Sequence, residues 1–228
     1  MPSNKALGTC IADSKTIVRK LGRIRALIFD WDGVFHSGRK NGDGESTFSE
    51  VDSMGVNMVR FAYYLKNGSI PYTAIVTGED NRTAHYFAKR EHFDHVFYKI
   101  KNKVEMLDWL KENKGFANEE VLFVFDDILD LSVARICGLR FLVEQEASFM
   151  FKQYCIDNHL CDYISKTNAN NHAVREIAEL ILSLLGVYNK VIEKRIAYAT
   201  EYTDYYSDRN SIETVIATLK DGEMHLKK

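Results

Sequence analysis

Apolar residues along this chain fall into short continuous runs separated by stretches of helical periodicity, an alternation that predicts buried parallel strands joined by helices. The first run is Ala26-Leu27-Ile28-Phe29, which stops at Asp30-Trp31-Asp32-Gly33. Tyr72 to Val76, His95 to Tyr98, Val121 to Phe125 and Leu139 to Val143 read as further strands. Helical patterns cover about Met54 to Lys66 (closed by Asn67-Gly68), Asp80 to Glu91, Lys101 to Asn113 and Leu129 to Cys137. Between Val34 and Asp52, short alternating pieces flank Asn41-Gly42-Asp43-Gly44, which predicts a β-hairpin. From Ala173 the pattern is helical through Leu185 and, past Gly186, resumes to about Tyr206; Ile212 to Leu219 is weakly amphipathic.

This β–α alternation predicts an α/β fold, a doubly wound parallel sheet with a β-hairpin flap and a helical C-terminal tail. The expected division is a helical extension over 1–23, a main domain over 24–185 and a helical tail over 186–228. Ligands of such sheets sit outside the carboxyl ends of the strands.

Composition narrows the function. With 228 residues there is room for one decorated domain, and 46% hydrophobic against 27% charged residues is an ordinary globular balance. A net charge of −2 gives no overall attraction to nucleic acid or anionic membrane, so neither is expected as a partner. Cys10, Cys137, Cys155 and Cys161 form no C-x-x-C pair, which favours buried thiols over a zinc site. No apolar h-region opens the chain and no run approaches a membrane span, so a cytoplasmic protein is expected.

Acids stand where strands end. Asp30 and Asp32, two apart, can face one crevice while Trp31 faces away. Paired carboxylates repel unless a cation neutralises them, and magnesium favours such oxygen ligands. Asp126-Asp127, with Asp130 behind, follows the strand Val121 to Phe125; Asp126 reads as a metal ligand, whereas Asp127 or Asp130 need do no more than cap the next helix. Thr77-Gly78 offers a hydroxyl and backbone N–H groups suited to a phosphoryl oxygen, although Thr77 could equally be an N-cap. Lys103 could supply positive charge, with Lys99 and Lys101 as competitors.

In order and spacing, Phe29-Asp30-Trp31-Asp32-Gly33-Val34, Thr77-Gly78-Glu79, Asn102-Lys103 and Asp126-Asp127-Ile128-Leu129-Asp130 resemble the four motifs of the haloacid dehalogenase superfamily. The likeness extends over about 24–183. It is nearest to the capless sugar-acid phosphatases that act on 3-deoxy-manno-octulosonate 8-phosphate and on nonulosonate 9-phosphates. Gly33-Val34-Phe35-His36-Ser37-Gly38, Asp52-Ser53-Met54-Gly55 and Ala173-Val174-Arg175-Glu176 carry that part.

The resemblance implies that Asp30 attacks phosphorus and that Asp32 protonates the leaving oxygen, then activates water, while its backbone carbonyl touches Mg2+. Asp126 would complete the metal site. Thr77, Gly78 and Lys103 would hold the phosphoryl group, and the family pattern selects Lys103 over its neighbours. Arg175, with the Asp52-Ser53 segment and Glu79, would lie at the rim, where Arg175 would pair with a sugar carboxylate. A homotetramer, in which neighbours cover each open site, is also implied.

Some positions depart from the octulosonate phosphatases. Val51 replaces an arginine, Asn168-Ala169-Asn170-Asn171-His172 replaces a glycine-rich stretch, and Phe125 replaces a glycine. These leave catalysis intact and tilt the substrate toward a nonulosonate 9-phosphate. Two alternatives stand beside this one: a phosphatase for another small phosphometabolite, and a non-catalytic scaffold on the same fold. His36 could touch substrate or be a solvated loop residue, and His85, His92 and His95 read as structural.

Overall fold

The computed structural model describes residues 8–227. One nine-stranded sheet organises them, in the order β1-β7-β6-β5-β2-β3-β4-β8-β9. Its parallel centre comprises β2 (Ala26–Phe29), β3 (Tyr72–Val76), β4 (His95–Phe97), β5 (Val121–Phe125), β6 (Leu139–Leu142) and β7 (Tyr163–Ile164). β1 (Thr9–Cys10) runs antiparallel to β7.

Alternation along each strand builds two cores. Leu27, Phe29, Ile75, Leu122 and Val124 face one layer, formed by α1 (Ser14–Leu21), α2 (Glu50–Asn67), α3 (Arg82–Arg90) and α7 (Ala173–Leu184). Ala26, Ile28, Val76, Phe123 and Phe125 face α4 (Val104–Lys114), α5 (Leu131–Ala134) and α6 (Phe149–Asp157). Helices on both faces explain why these strands read as unbroken apolar runs. After β2 the chain moves to β3 and β4 on one side, then returns to β5 on the other. The order in which strands are added therefore reverses between β2 and β5, the position at which such folds bind ligands.

Local signals set the ends of these elements. α2 starts where the Ser49 hydroxyl accepts from the N–H of Val51, and it stops at Gly68, whose φ of 70° few other residues adopt without strain. In α1, Ile17 and Leu21 are fully buried, so the 1–23 segment contributes to the core; its first seven residues lie outside those described.

Two expected elements are different in the structure. The hairpin expected from Val34 to Asp52 is an irregular loop, whose one ladder contact among the described residues is an Asp32–His36 bridge. Its polar groups are satisfied by a few local backbone turns and by side chains. Asn41 Oδ1 accepts from the N–H groups of Asp43 and Glu45, and Ser46 Oγ accepts from the indole of buried Trp31 and from Asn81. The tail is helical only in part. α8 (Tyr188–Ile196) and α9 (Thr200–Asn210) give way to the strands β8 (Val215–Lys220) and β9 (Glu223–Leu226). The β-branched run Val215-Ile216 pairs parallel with β4, and Asp221-Gly222, both at positive φ, turns the chain into an antiparallel hairpin.

Candidate active site

Register brings the strand-end residues together. Phe29 pairs with Ile75 on one side and Val124 on the other, so Asp30, Thr77 and Asp126 emerge at the same carboxyl edge. They open into a cleft of about 690 Å3, which Asp32, Gly78, Lys103, Asp127 and Asp130 also line. Of the residues expected at the site or its rim, Arg175 and the Asp52-Ser53 segment are not gathered here.

Lys103 occupies the N-cap position of α4 and is buried, with Nζ 2.6 Å from Asp30 Oδ1 and 2.5 Å from Asp130 Oδ1. Lys99 is exposed and lies 3.7 Å from Asp80, so burial separates Lys103 from its neighbour, where spacing could not. Asp130 also accepts from the Asp127 N–H at 3.3 Å, which ties the loop after β5 to the lysine. Asp127 serves as a cap, accepting from the Ile128 N–H at 2.7 Å. Thr77 is buried and is not the cap of α3, a role taken by Asn81. Its N–H donates to Phe97 and its hydroxyl accepts from the Glu79 N–H at 3.3 Å, which fixes the turn above β3.

Charge in the cleft is unevenly balanced. Burial, together with Asp130 nearby, pushes the Asp30 carboxyl up to about 7 despite Lys103. Burial and repulsion from Asp30, Asp130 and Asp127 push Asp126 up to about 9. Burial works against the charged form of Lys103, but Asp30 and Asp130 outweigh it and hold the ammonium well above its ordinary range. Asp32 is set apart. Burial pushes it up, yet His36 Nε2 and Lys40 Nζ, each 3.2 Å from its Oδ1, together hold it below the usual carboxylate range.

Oxygen atoms of Asp30, Asp126 and Asp130 lie within 4.8 Å of one another. An all-oxygen, anionic donor set of this size fits a hard divalent cation. Gly33, at φ 85°, permits the arrangement: a Cβ there would collide with the Asp126 carboxylate. The Asp32 carboxylate is outside this cluster and is engaged by His36 and Lys40.

Sequence reasoning missed Gln145, whose amide donates to Asp126 Oδ2 and to the Gly33 carbonyl, both at 3.0 Å. Lys40 was also missed. The signal for Gln145 was its place just beyond the strand Leu139 to Val143, at the edge where the acids cluster.

Arg175 and Asp52-Ser53 are not at the rim of this cleft. Asp52 is fully buried and accepts from the Arg175 N–H at 2.9 Å, capping α7, while Ser53 donates to Glu91. The Arg175 guanidinium follows its own helix to Glu179, at 2.9 Å, and lines a separate cleft against the tail. The helical i,i+4 partner explains this direction.

No family model matches the chain. Among curated proteins it is similar to the 3-deoxy-D-manno-octulosonate 8-phosphate phosphatase KdsC of Escherichia coli, 26% identical over 186 residues, which cover 79% of this chain and 92% of the relative. Among solved structures, a probable YrbI family phosphatase from Pseudomonas syringae is 29% identical with a TM-score of 0.65, covering 80% of this chain and 98% of that one. A 3-deoxy-D-manno-octulosonate 8-phosphate phosphatase from Moraxella catarrhalis, solved with magnesium, phosphate and KDO, is 25% identical with a TM-score of 0.64, covering 78% and 97%. The acids, the bridging lysine and the hydroxyl turn at one sheet edge agree with these likenesses, and the chain is similar in sequence, fold and site to phosphatases of the haloacid dehalogenase type.

Proposed function

We propose that the chain hydrolyses a phosphorylated 2-keto-3-deoxy sugar acid, an octulosonate 8-phosphate or nonulosonate 9-phosphate, with Asp30 as nucleophile. The observation that carries this reading is the buried Asp30–Lys103–Asp130 bridge beside Asp126 in an open cleft. Asp30 attacks phosphorus as the sugar oxygen leaves, giving an aspartyl-phosphate that water then cleaves. Asp32 gives the leaving oxygen a proton and takes one from the incoming water; His36 and Lys40 hold its side chain in place. Lys103, the Thr77 hydroxyl and the Gly78 backbone bind the phosphoryl oxygens. Asp30, Asp126 and the Asp32 carbonyl would hold Mg2+, which supplies charge neutralisation at the transferring group.

The cleft is open on its outer side, and Leu129, Phe149 and Met150 beside it are strongly exposed. These apolar residues fit a surface that a neighbouring copy covers, and the homotetramer is what the resemblance implies. A second reading, a phosphatase for another small phosphometabolite, is favoured by one observation: the arginine expected to read a sugar carboxylate lies outside the cleft.

The test is turnover, with magnesium, of octulosonate 8-phosphate, a nonulosonate 9-phosphate and carboxylate-free sugar phosphates. A kcat/KM for either sugar acid at least about tenfold above the others supports the proposal, since one paired carboxylate contributes about that much. A preference for a carboxylate-free ester would replace it with the second reading.

A further inference from the structure

Away from the acid cluster, a second cleft of about 440 Å3 lies between α2, α7 and the tail helices α8 and α9. Its volume falls in the range of small-molecule sites. Met58, Phe61, Val191 and Ile192 supply an apolar floor, and Tyr202 and Tyr206 stand over it with ring centroids 6.3 Å apart. None of the acids around Asp30 lines it.

The charges do not balance. Four arginines line the cleft, Arg90, Arg175, Arg195 and Arg209, against two glutamates, Glu50 and Glu91. Arg90 is held by Glu50 and Glu91. Arg209 reaches Asn57 and comes within 3.6 Å of the same Glu91, which Ser53 and Asn57 also engage. Arg175 uses its Nε on Glu179. Arg195 is different. Among the described residues it has no carboxylate within ion-pair distance, and its guanidinium lies over the rings of Tyr202 and Tyr198, 4.5 and 5.2 Å from their centroids.

A guanidinium seated against aromatic rings and free of a carboxylate partner keeps N–H groups available to grip a planar anion with two parallel hydrogen bonds. Beside it are tyrosine rings and an apolar floor that would accept a flat hydrophobic body. We propose that this cleft is a binding site, separate from the phosphatase centre, for a small planar ring that carries a carboxylate or a phosphate. The anion meets Arg195, and the ring lies between the tyrosines and the α2 side chains.

The full chain is titrated by calorimetry with two probes, indole-3-acetate and 3′,5′-cyclic AMP, a diester that offers no terminal phosphate for a monoesterase. Their neutral counterparts, indole-3-acetamide and adenosine, serve as controls. Saturable binding of either anion, at least about tenfold tighter than its neutral counterpart, is expected. Arg195→Gln should weaken it about tenfold and Arg195→Lys should restore part, with circular dichroism and phosphatase turnover unchanged. Binding of the indole acid alone identifies a carboxylate ligand, and binding of the nucleotide alone identifies a phosphate ligand. Either supports the site. No saturable binding of either anion, equal binding of the neutral forms, or binding indifferent to Arg195→Gln would overturn it. So would light scattering in which Arg195→Gln dissociates an assembly, because a second copy would then be the occupant.

Discussion

Nζ of Lys103 lies 2.6 Å from Oδ1 of Asp30, so the cation that would later receive the phosphoryl oxygens favours the charged form of the proposed nucleophile, against burial and the nearby Asp130. With Asp130 completing the bridge, removal of the lysine leaves two buried carboxylates facing one another. Lys103→Met is therefore expected to lower turnover by about 10²- to 10³-fold and to destabilise the fold by about 3 kcal/mol. The double variant Lys103→Met with Asp130→Asn should recover most of the melting temperature and none of the turnover. Recovery of both would reduce Lys103 to a structural residue.

Asp30→Asn keeps the shape at the end of β2 and removes the attacking charge. Turnover is expected to fall by about 10⁴-fold or more, the scale seen when covalent nucleophiles are removed. Single-turnover assays with purified variant measure this directly, and retention of more than a few per cent of activity would refute the assignment.

Metal and proton compete for the same oxygens. Burial and mutual repulsion place Asp30 at about 7 and Asp126 at about 9, so these carboxyls exchange protons for a bound cation. Raising the pH from 6 to 9 removes those protons, and the apparent magnesium affinity should rise across this window. Titrations of activity against magnesium at several pH values follow it, and chelation should abolish turnover reversibly. An affinity that falls with pH would contradict the acid cluster as the ligand set.

Arg175 points along α7 to Glu179, outside the phosphatase cleft. Arg175→Ala is accordingly expected to change kcat/KM for sugar-acid and carboxylate-free phosphates alike, each by less than about threefold, in contrast to the ten- to hundredfold selective loss that a carboxylate partner would give. A selective loss on sugar acids would return Arg175 to the substrate.

His95 is buried against Phe97, Tyr72 and Trp109, with its Nδ1 unbonded, and burial pushes the imidazole down to about 4. The folded chain keeps it neutral where an unfolded chain takes a proton, below about 6.5. Between those values the unfolded state binds more protons, so stability falls as pH falls, by at most about 3 kcal/mol from this residue. Urea midpoints from pH 7 to 4.5 should show that slope, and His95→Phe should flatten it by roughly one proton.

Residues whose meaning is local were legible in the sequence. β2, β3 and β5 appear at their expected ends because two-sided burial writes itself as an unbroken apolar run, and Asp30, Asp32, Thr77 and Asp126 stood out because they follow those runs, whereas Lys103 was singled out among its lysine neighbours only by the family pattern. What failed depended on partners far away in the chain. Arg175 could be directed only once Glu179 and the Asp52 cap were in place. The loop 33–49 resembled a hairpin by its turn residues, yet Ser46 is held by Trp31 and Asn81, two contacts that no local pattern announces. β8 was overlooked because its burial comes from β4. Asp221-Gly222 was the available sign of a hairpin there.

That last pairing bears on how the molecule assembles. His95 sits opposite Val215 in the sheet, 120 positions on in the chain, whereas Ala74 and His95 join across 21. Closing so long a loop is entropically slower, so the central strands can associate while the outer side of β4 still presents unpaired backbone groups. During ribosomal synthesis those groups would remain open to any passing strand until β8 emerges and takes the place.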